Sequence, residues 1–401
     1  MTNYNSRHSV QFVAIFLTIF TILRIIKFVP TMPPALYYMI WGISAVYILM
    51  HAYVSCRINY SYLLFIYICV ISIIGNDIDP KYNIGLRFIG FLLIVCSIGP
   101  IFDNDWLYLL RQKCFHFVLM GMTIISVISF LIYCILPTLM LTERGNLYGG
   151  ITIHSMQMGP IAGLSTVYMI HMILNRHKGQ GNKKLIFYWV CLVLSLFSCI
   201  LAGSRSAILA MIVAVSIYIW RYYRNNILQF IKIIVCFVSI MAISTPLWWT
   251  YTKTVQAKME LSEKKGGFIT SRSSAWEARL NEFVDSPLIG CGFATVVGSF
   301  SERGNEGMVE PGNGWLFVLS TTGIVTFVIF LVSYIHYLFF LLKMSTDESI
   351  LLGSGLIFWG IHINAEAYTL SSGTFLFYFL WLSLGYAYSY INKCKLPKLA
   401  Y

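Results

Sequence analysis

Apolar runs of about 20 residues recur along the whole chain, and that is the length an α-helix needs to cross hydrocarbon. They fall at Val10–Val29, Ala35–Val54, Tyr60–Gly75, Ile84–Phe102, Phe115–Leu136, Ile151–Leu174, Leu185–Ala202, Ser206–Trp220, Ile227–Trp249, Trp315–Leu342, Ser349–Ile363 and Gly373–Ile391. Inside lipid every backbone N–H and C=O must find an internal partner, so segments of this length and apolarity fold as helices. The first run ends in Pro30-Thr31-Met32-Pro33-Pro34 with no small-residue cleavage site, which makes it a retained span rather than a removed signal peptide. The expected fold is therefore all-α: a polytopic membrane protein with about twelve transmembrane helices. The composition, 58% hydrophobic and 11% charged, lies outside the range of soluble domains.

The formal net charge of +12 invites a nucleic-acid reading, but the placement of the charges assigns it to topology. Arg7, Arg57, Arg111, Lys113, Arg176, Lys178, Lys183, Lys184, Arg221, Arg224, Lys343, Lys393, Lys395 and Lys398 fall on one side of the alternating spans. The short loops on the other side carry only Lys81, Arg144 and Arg205. The positive-inside rule then puts both termini in the cytoplasm, with membrane lipids rather than nucleic acid as the surroundings. Six of the 10 cysteines (Cys69, Cys96, Cys134, Cys191, Cys199 and Cys236) lie inside apolar runs. Such thiols behave as small hydrophobes, so no disulfide framework is expected.

One long polar stretch interrupts the pattern, Thr250 to Gly314, and the same rule places it outward. It divides the chain into 1–249 (nine spans), 250–314 (a large outward-facing loop domain) and 315–401 (three spans and a cytoplasmic tail). Loops of this length with structure of their own are usually functional. Seven basic residues in it face eight acidic ones, so any anion binding there must come from placed arginines. Ser274-Ala275-Trp276-Glu277 has the form of a capping box opening a short amphipathic helix, with Trp276, Leu280, Phe283 and Val284 on one face and Pro287 ending it. Arg272 then stands just before the helix start, where free N–H groups already favour an anion.

Several residues carry candidate chemistry, each with a plainer alternative. Arg205, in Gly203-Ser204-Arg205-Ser206 between two spans, is either an anion ligand or an anchor reaching headgroups. Arg272 is an anion ligand or a surface salt bridge, and Arg279 reads first as a solvated helix residue, with substrate contact the alternative. Glu310, in a Pro/Gly/Asn turn before a span, is a general base or a loop charge. His154 and Gln157 either hydrogen-bond a sugar or phosphate, or pack. Arg24, Lys27 and Arg87 line a phosphate path or anchor their spans. His362, Asn364 and Glu366 give the eleventh span a polar outer end. Asp77-Ile78-Asp79 has the form of a metal-binding carboxylate pair, but with Pro80 following it reads more simply as a turn.

Taken in order, Gly203-Ser204-Arg205-Ser206, Arg272-Ser273-Ser274-Ala275-Trp276, Asp285-Ser286-Pro287-Leu288-Ile289-Gly290-Cys291-Gly292-Phe293 and Trp315 through Ile324 resemble the O-antigen ligase / O-antigen polymerase (Wzy-type) superfamily of bacterial envelope polysaccharide enzymes. The resemblance covers roughly residues 145–340. It implies a GT-C-like architecture and an inverting, metal-independent glycosyl transfer with no cofactor, at the outer face of the bacterial inner membrane. The implied donor is an oligosaccharide on undecaprenyl pyrophosphate, and a separate chain-length regulator is an implied partner. The family's span-opening arginine matches Arg205 and its loop arginine ahead of a tryptophan matches Arg272; both are expected on the pyrophosphate. Fork-shaped guanidinium contacts suit phosphate oxygens. Arg279, His154, Gln157, Arg87 and Trp276 are the expected substrate contacts.

The chain departs from the family's ligases at one point. Where they place a histidine before the post-loop span, it has Glu310-Pro311-Gly312-Asn313-Gly314. Glu310 is then the candidate base, and the reading shifts from ligase to repeat-unit polymerase. A flippase or secondary transporter is the rival of another class, but it would want charges buried near mid-membrane, and the mid-spans are nearly free of them.

Overall fold

The computed structural model describes residues 2–30, 32–53, 56–142, 147–175, 181–233, 235, 239, 270–297 and 312–395; for 2–7 and 270–272 it describes the backbone alone. Helices occupy most of this. The elements are α1 (Thr2–Leu23), α2 (Pro34–Ala52), α3 (Tyr60–Ile74), α4 (Ile84–Ser97), α5 (Asp105–Ile135), α6 (Ser155–Leu174), α7 (Asn182–Leu201), α8 (Arg205–Tyr222), α9 (Thr270–Asp285), α10 (Gly314–Lys343), α11 (Asp347–His362) and α12 (Phe375–Lys395). The only sheet among the described residues is a two-residue antiparallel pair, β1 (Arg57–Ile58) with β2 (Phe102–Asp103).

Eleven of the twelve expected runs coincide with a helix, and of the ninth only its opening residues are described. Among the described residues, five helices are long and apolar enough to cross a membrane: α2, α5, α7, α8 and α10. Others are shorter apolar helices, as at His8–Leu23 and Tyr60–Ile74. The outward apolar faces fit lipid rather than water: Phe12 is 72% exposed and Ile43 66%, and a soluble monomer does not carry such faces at this scale. Two buried hydroxyls inside the helices bond back to the preceding turn, Thr18 Oγ1 donating to Ala14 O at 2.7 Å and Ser126 Oγ to Met122 O at 2.8 Å, as a dry interior favours.

The helices pack as neighbours: α1 against α5, α6 against α7 and α8, α8 against α11, and α3 against α10. An aromatic cluster joins α3, α4, α10 and α12, with Trp381 edge-on to Phe91 at 5.5 Å and Phe330 5.9 Å from Trp381. Such pairs add to the area they bury through edge-to-face electrostatics.

Two arginines that the sequence puts among loop charges are interior. Arg111 is fully buried in α5, which begins at Asp105, ten residues ahead of the expected start. Its guanidinium donates to Ile98 O (2.9 Å), Phe102 O (2.7 Å), Gly99 O and Ser389 Oγ (2.6 Å), with Asp103 at 3.9 Å. The carbonyls freed where α4 ends are what hold it there. Arg221 likewise donates to Met344 O and Ser349 O across the turn between α10 and α11. Nearby, Glu348 accepts from His116 Nε2 at 3.0 Å and Tyr386 OH at 2.8 Å. These clusters close the end of the bundle opposite the turn 286–297.

Candidate functional site

At the turn side, α8 follows α7 through a tight connection, with Gly203 N donating to Ile200 O and Ser204 O accepting from Ile208 N. Arg205 is the first residue of α8 and is half-buried. The N–H groups of a first turn lack intrahelical partners and carry the positive end of the dipole, so Arg205 adds its charge where potential is already positive. The start of α6 lies alongside: a Cβ on Gly159 would stand 2.6 Å from Ser204 Cβ, so only glycine lets the two helices close this far. His154 is exposed at the N-cap position of α6. Gln157 is half-buried, and its Oε1 has no hydrogen-bond partner among the described residues.

α11 runs beside α8 and ends at the same level. His362 is buried there, its Nδ1 2.9 Å from Tyr368 OH and its ring stacked on Phe358. The start of α10 meets this end, Gly314 N donating to Ile363 O at 2.7 Å, while Asn313 caps α10 by accepting from Trp315 N and Leu316 N. α9 joins through Trp276, whose Nε1 donates to Gly312 O at 3.4 Å. The first turn of α9, with Arg272, therefore stands at the same end of the bundle as Arg205, as do the starts of α6, α8 and α10. The side chain of Arg272 and the whole of Glu310 lie outside the described residues, as does most of 250–314.

α9 corrects the sequence reading in three ways. It starts at Thr270, so Ser274 is not its cap and Arg272 lies inside its first turn rather than ahead of it. Its inward face carries Arg279 and Glu282 rather than Leu280 and Val284, which are 47% and 72% exposed. Arg279 is not solvated: it is 2% exposed and its Nη2 lies 2.7 Å from Glu282 Oε1. Burial lowers the pKa of Arg279 and raises that of Glu282, each opposed by the partner's charge. Burial pushes the Cys291 thiol beside them up to about 12, which makes it inert.

Arg87 is on α4, where Nη1 donates to Ala294 O at 3.0 Å. Arg24 lies over the Tyr37 ring at 3.7 Å and borders the turn at Gly373. Lys27 Nζ donates to Leu139 O. Asp79 caps the Pro80–Tyr82 turn, accepting from Lys81 N at 2.9 Å and pairing with Lys81 Nζ at 2.8 Å, which is the turn reading of the aspartate pair.

Sequence reasoning missed what the glycine at 323 does. α10 breaks at Gly323, which has φ 79° and ψ 177°. The bond that Ile324 N would make to Ser320 O is replaced by two bonds to the turn after α9. Ile324 N donates to Pro287 O and Cys291 N donates to Ser320 O, both at 2.9 Å. The backbones approach so closely that a Cβ on Gly323 would lie 2.1 Å from Leu288 O. Gly323→Ala is accordingly expected to cost about 1–3 kcal/mol of local stability, seen as faster amide hydrogen exchange in peptides spanning 286–297. Unchanged exchange there would show that the turn does not depend on the break.

Residues 190–331 match the family model described as O-antigen ligase. This match supports the O-antigen ligase/polymerase superfamily that the motif order resembles. The matched stretch runs from inside α7 through Arg205, α9 and the turn 286–297 past the break in α10, so it takes in Arg205 and the turn 286–297. The match agrees with the several apolar helices of a multi-pass membrane protein. No curated protein matches the chain.

Proposed function

We propose that the protein is a polysaccharide polymerase. It transfers a glycan from undecaprenyl pyrophosphate to the terminal sugar hydroxyl of a second lipid-linked repeat unit, at the outer face of the bacterial inner membrane. The observation that carries this is Arg205 at the dipole end of α8, inside the superfamily match and at the same end of the bundle as the first turn of α9, which bears Arg272. Both guanidiniums would hold the pyrophosphate leaving group, where negative charge grows as the glycosidic bond breaks and fixed donors lower the barrier most. Glu310 would take the proton of the acceptor hydroxyl. Gln157, His154, Trp276 and Arg87 would contact the glycan or the lipid head, while Arg279, paired inward, supports the loop rather than the ligand. The transfer inverts the anomeric centre and uses no metal.

The ligase reading, with lipid A core as acceptor, has the name of the matching family in its favour. Glycolipids from a deletion strain separate the two. A polymerase deletion is expected to leave single capped repeat units, whereas full-length chains held on the carrier would replace this proposal by the ligase. Purified protein with lipid-linked repeat unit is expected to keep its activity in chelator; loss of activity would overturn the metal-independent mechanism.

A further inference from the structure

We infer that Glu282 is a positioning residue for Arg272: by locking α9 onto the turn 286–297 it sets where Arg272 stands over the site. This rests on the pyrophosphate role proposed above for Arg205 and Arg272.

The carboxylate of Glu282 is 6% exposed and is the point where the helix and the turn meet. Its Oε1 receives Arg279 Nη2 at 2.7 Å from within α9 and Val297 N at 2.8 Å from the far end of the turn. The turn is in its own right fixed to three membrane-side helices. Asn76 Nδ2, just past α3, donates to Gly290 O at 3.1 Å, and Ser72 Oγ of α3 donates to Thr321 O at 2.8 Å beside it. Tyr82 OH donates to Val296 O at 2.7 Å, and Arg87 of α4 to Ala294 O at 3.0 Å. Phe293 is fully buried and edge-on to Phe88 and Phe91 of α4 at 5.2 and 5.3 Å. The break in α10 supplies the two backbone bonds already described.

The turn is therefore a rigid seat, and Glu282 is the side chain that bolts α9 to it. A buried carboxylate held by a guanidinium and a backbone N–H tolerates little displacement, because losing either partner leaves charge desolvated. Glu282 stands ten residues from Arg272 along α9, about 15 Å at helical rise. A tilt of about 4° about the Glu282 end moves the Arg272 end by about 1 Å, and a misplacement of that size can cost about a hundredfold in an aligned reaction. A surface helix held only by apolar contacts would lack this angular control, since apolar packing has no preferred direction.

The test is a double-mutant cycle on the full-length protein in detergent. Undecaprenyl pyrophosphate is the binding probe, and Kd is measured separately from the fraction of protein that binds. Glu282→Ala is expected to weaken binding at least about tenfold. Combined with Arg272→Ala it is expected to add nothing to the loss from Arg272→Ala alone. A purely structural role would lower the melting temperature and the binding fraction but leave Kd of the remaining protein unchanged, and that result overturns the inference. So do losses that multiply in the double variant. Should Glu282→Ala fail to fold, the paired change Arg279→Met with Glu282→Leu keeps the helix face packed without its charges, and the same comparison with Arg272→Ala applies. If Arg205→Ala and Arg272→Ala both bind like wild type, the pyrophosphate site itself falls, and the inference falls with it.

Discussion

Arg205→Ala is expected to lower turnover of the lipid-linked substrate by about 10²–10³, the loss found when one fixed donor to a developing charge is removed. The informative comparison is Arg205→Lys. A lysine keeps the positive charge at the start of α8 but presents a compact, strongly hydrated ammonium in place of a planar fork. If Arg205 grips two oxygens of a pyrophosphate, Arg205→Lys recovers only a small part of the activity. If Arg205 is an interfacial anchor reaching for headgroups, lysine serves equally well and activity stays near wild type. Initial rates of glycan transfer by the purified variants decide between them. The position favours the first outcome, because Arg205 is half-buried at the head of α8 with the start of α6 packed against Ser204.

The second large effect lies at the opposite end of the bundle and concerns stability. Arg111→Met is expected to destabilise the fold by about 3–5 kcal/mol, as when one partner is removed from a buried ionic cluster. Methionine fills much of the space but leaves Ile98 O, Gly99 O and Phe102 O without their donor, and Asp103, 5% exposed, without its nearest cation. Asn392 Nδ2 still donates to Asp103 Oδ2 at 3.1 Å, which limits the loss. Lys113→Met, two residues on and exposed, is the control and is expected to change stability by no more than about 0.5 kcal/mol. Thermal unfolding in detergent, followed by loss of the monodisperse peak, gives the difference. Equal midpoints for the two variants would mean that the Arg111 clamp does not hold α4, α5 and α12 together.

The contrast between Arg111 and Lys113 shows where sequence reasoning stops. Both are basic residues near the end of an apolar run, and hydropathy places them in one class. What separates them is that α4 ends at Ser97, turning its last carbonyls toward α5. That direction exists only once the helices are packed. Arg279 and Glu282 pose the same problem. Their spacing suits a solvent-facing pair on a helix, and only the turn 286–297 folding back under α9 makes that face the inner one. Asp79 went the other way, since an aspartate ahead of a proline caps its turn through contacts two residues long, and such local geometry is readable directly.

The elements legible in the sequence were those set by short-range chemistry. Apolar runs must become helices because hydrocarbon leaves the backbone no other partner. The order of the Arg205, Arg272 and Pro287–Phe293 motifs pointed to the superfamily before any contact was known. Tertiary structure alone decided that Gly323 breaks α10 to receive the turn, that α9 begins at Thr270, and that the starts of α6, α8 and α10 open at one end beside Arg205. Each of these depends on backbone groups brought together from segments up to hundreds of residues apart, and no local pattern of residue types encodes which carbonyl will meet which N–H.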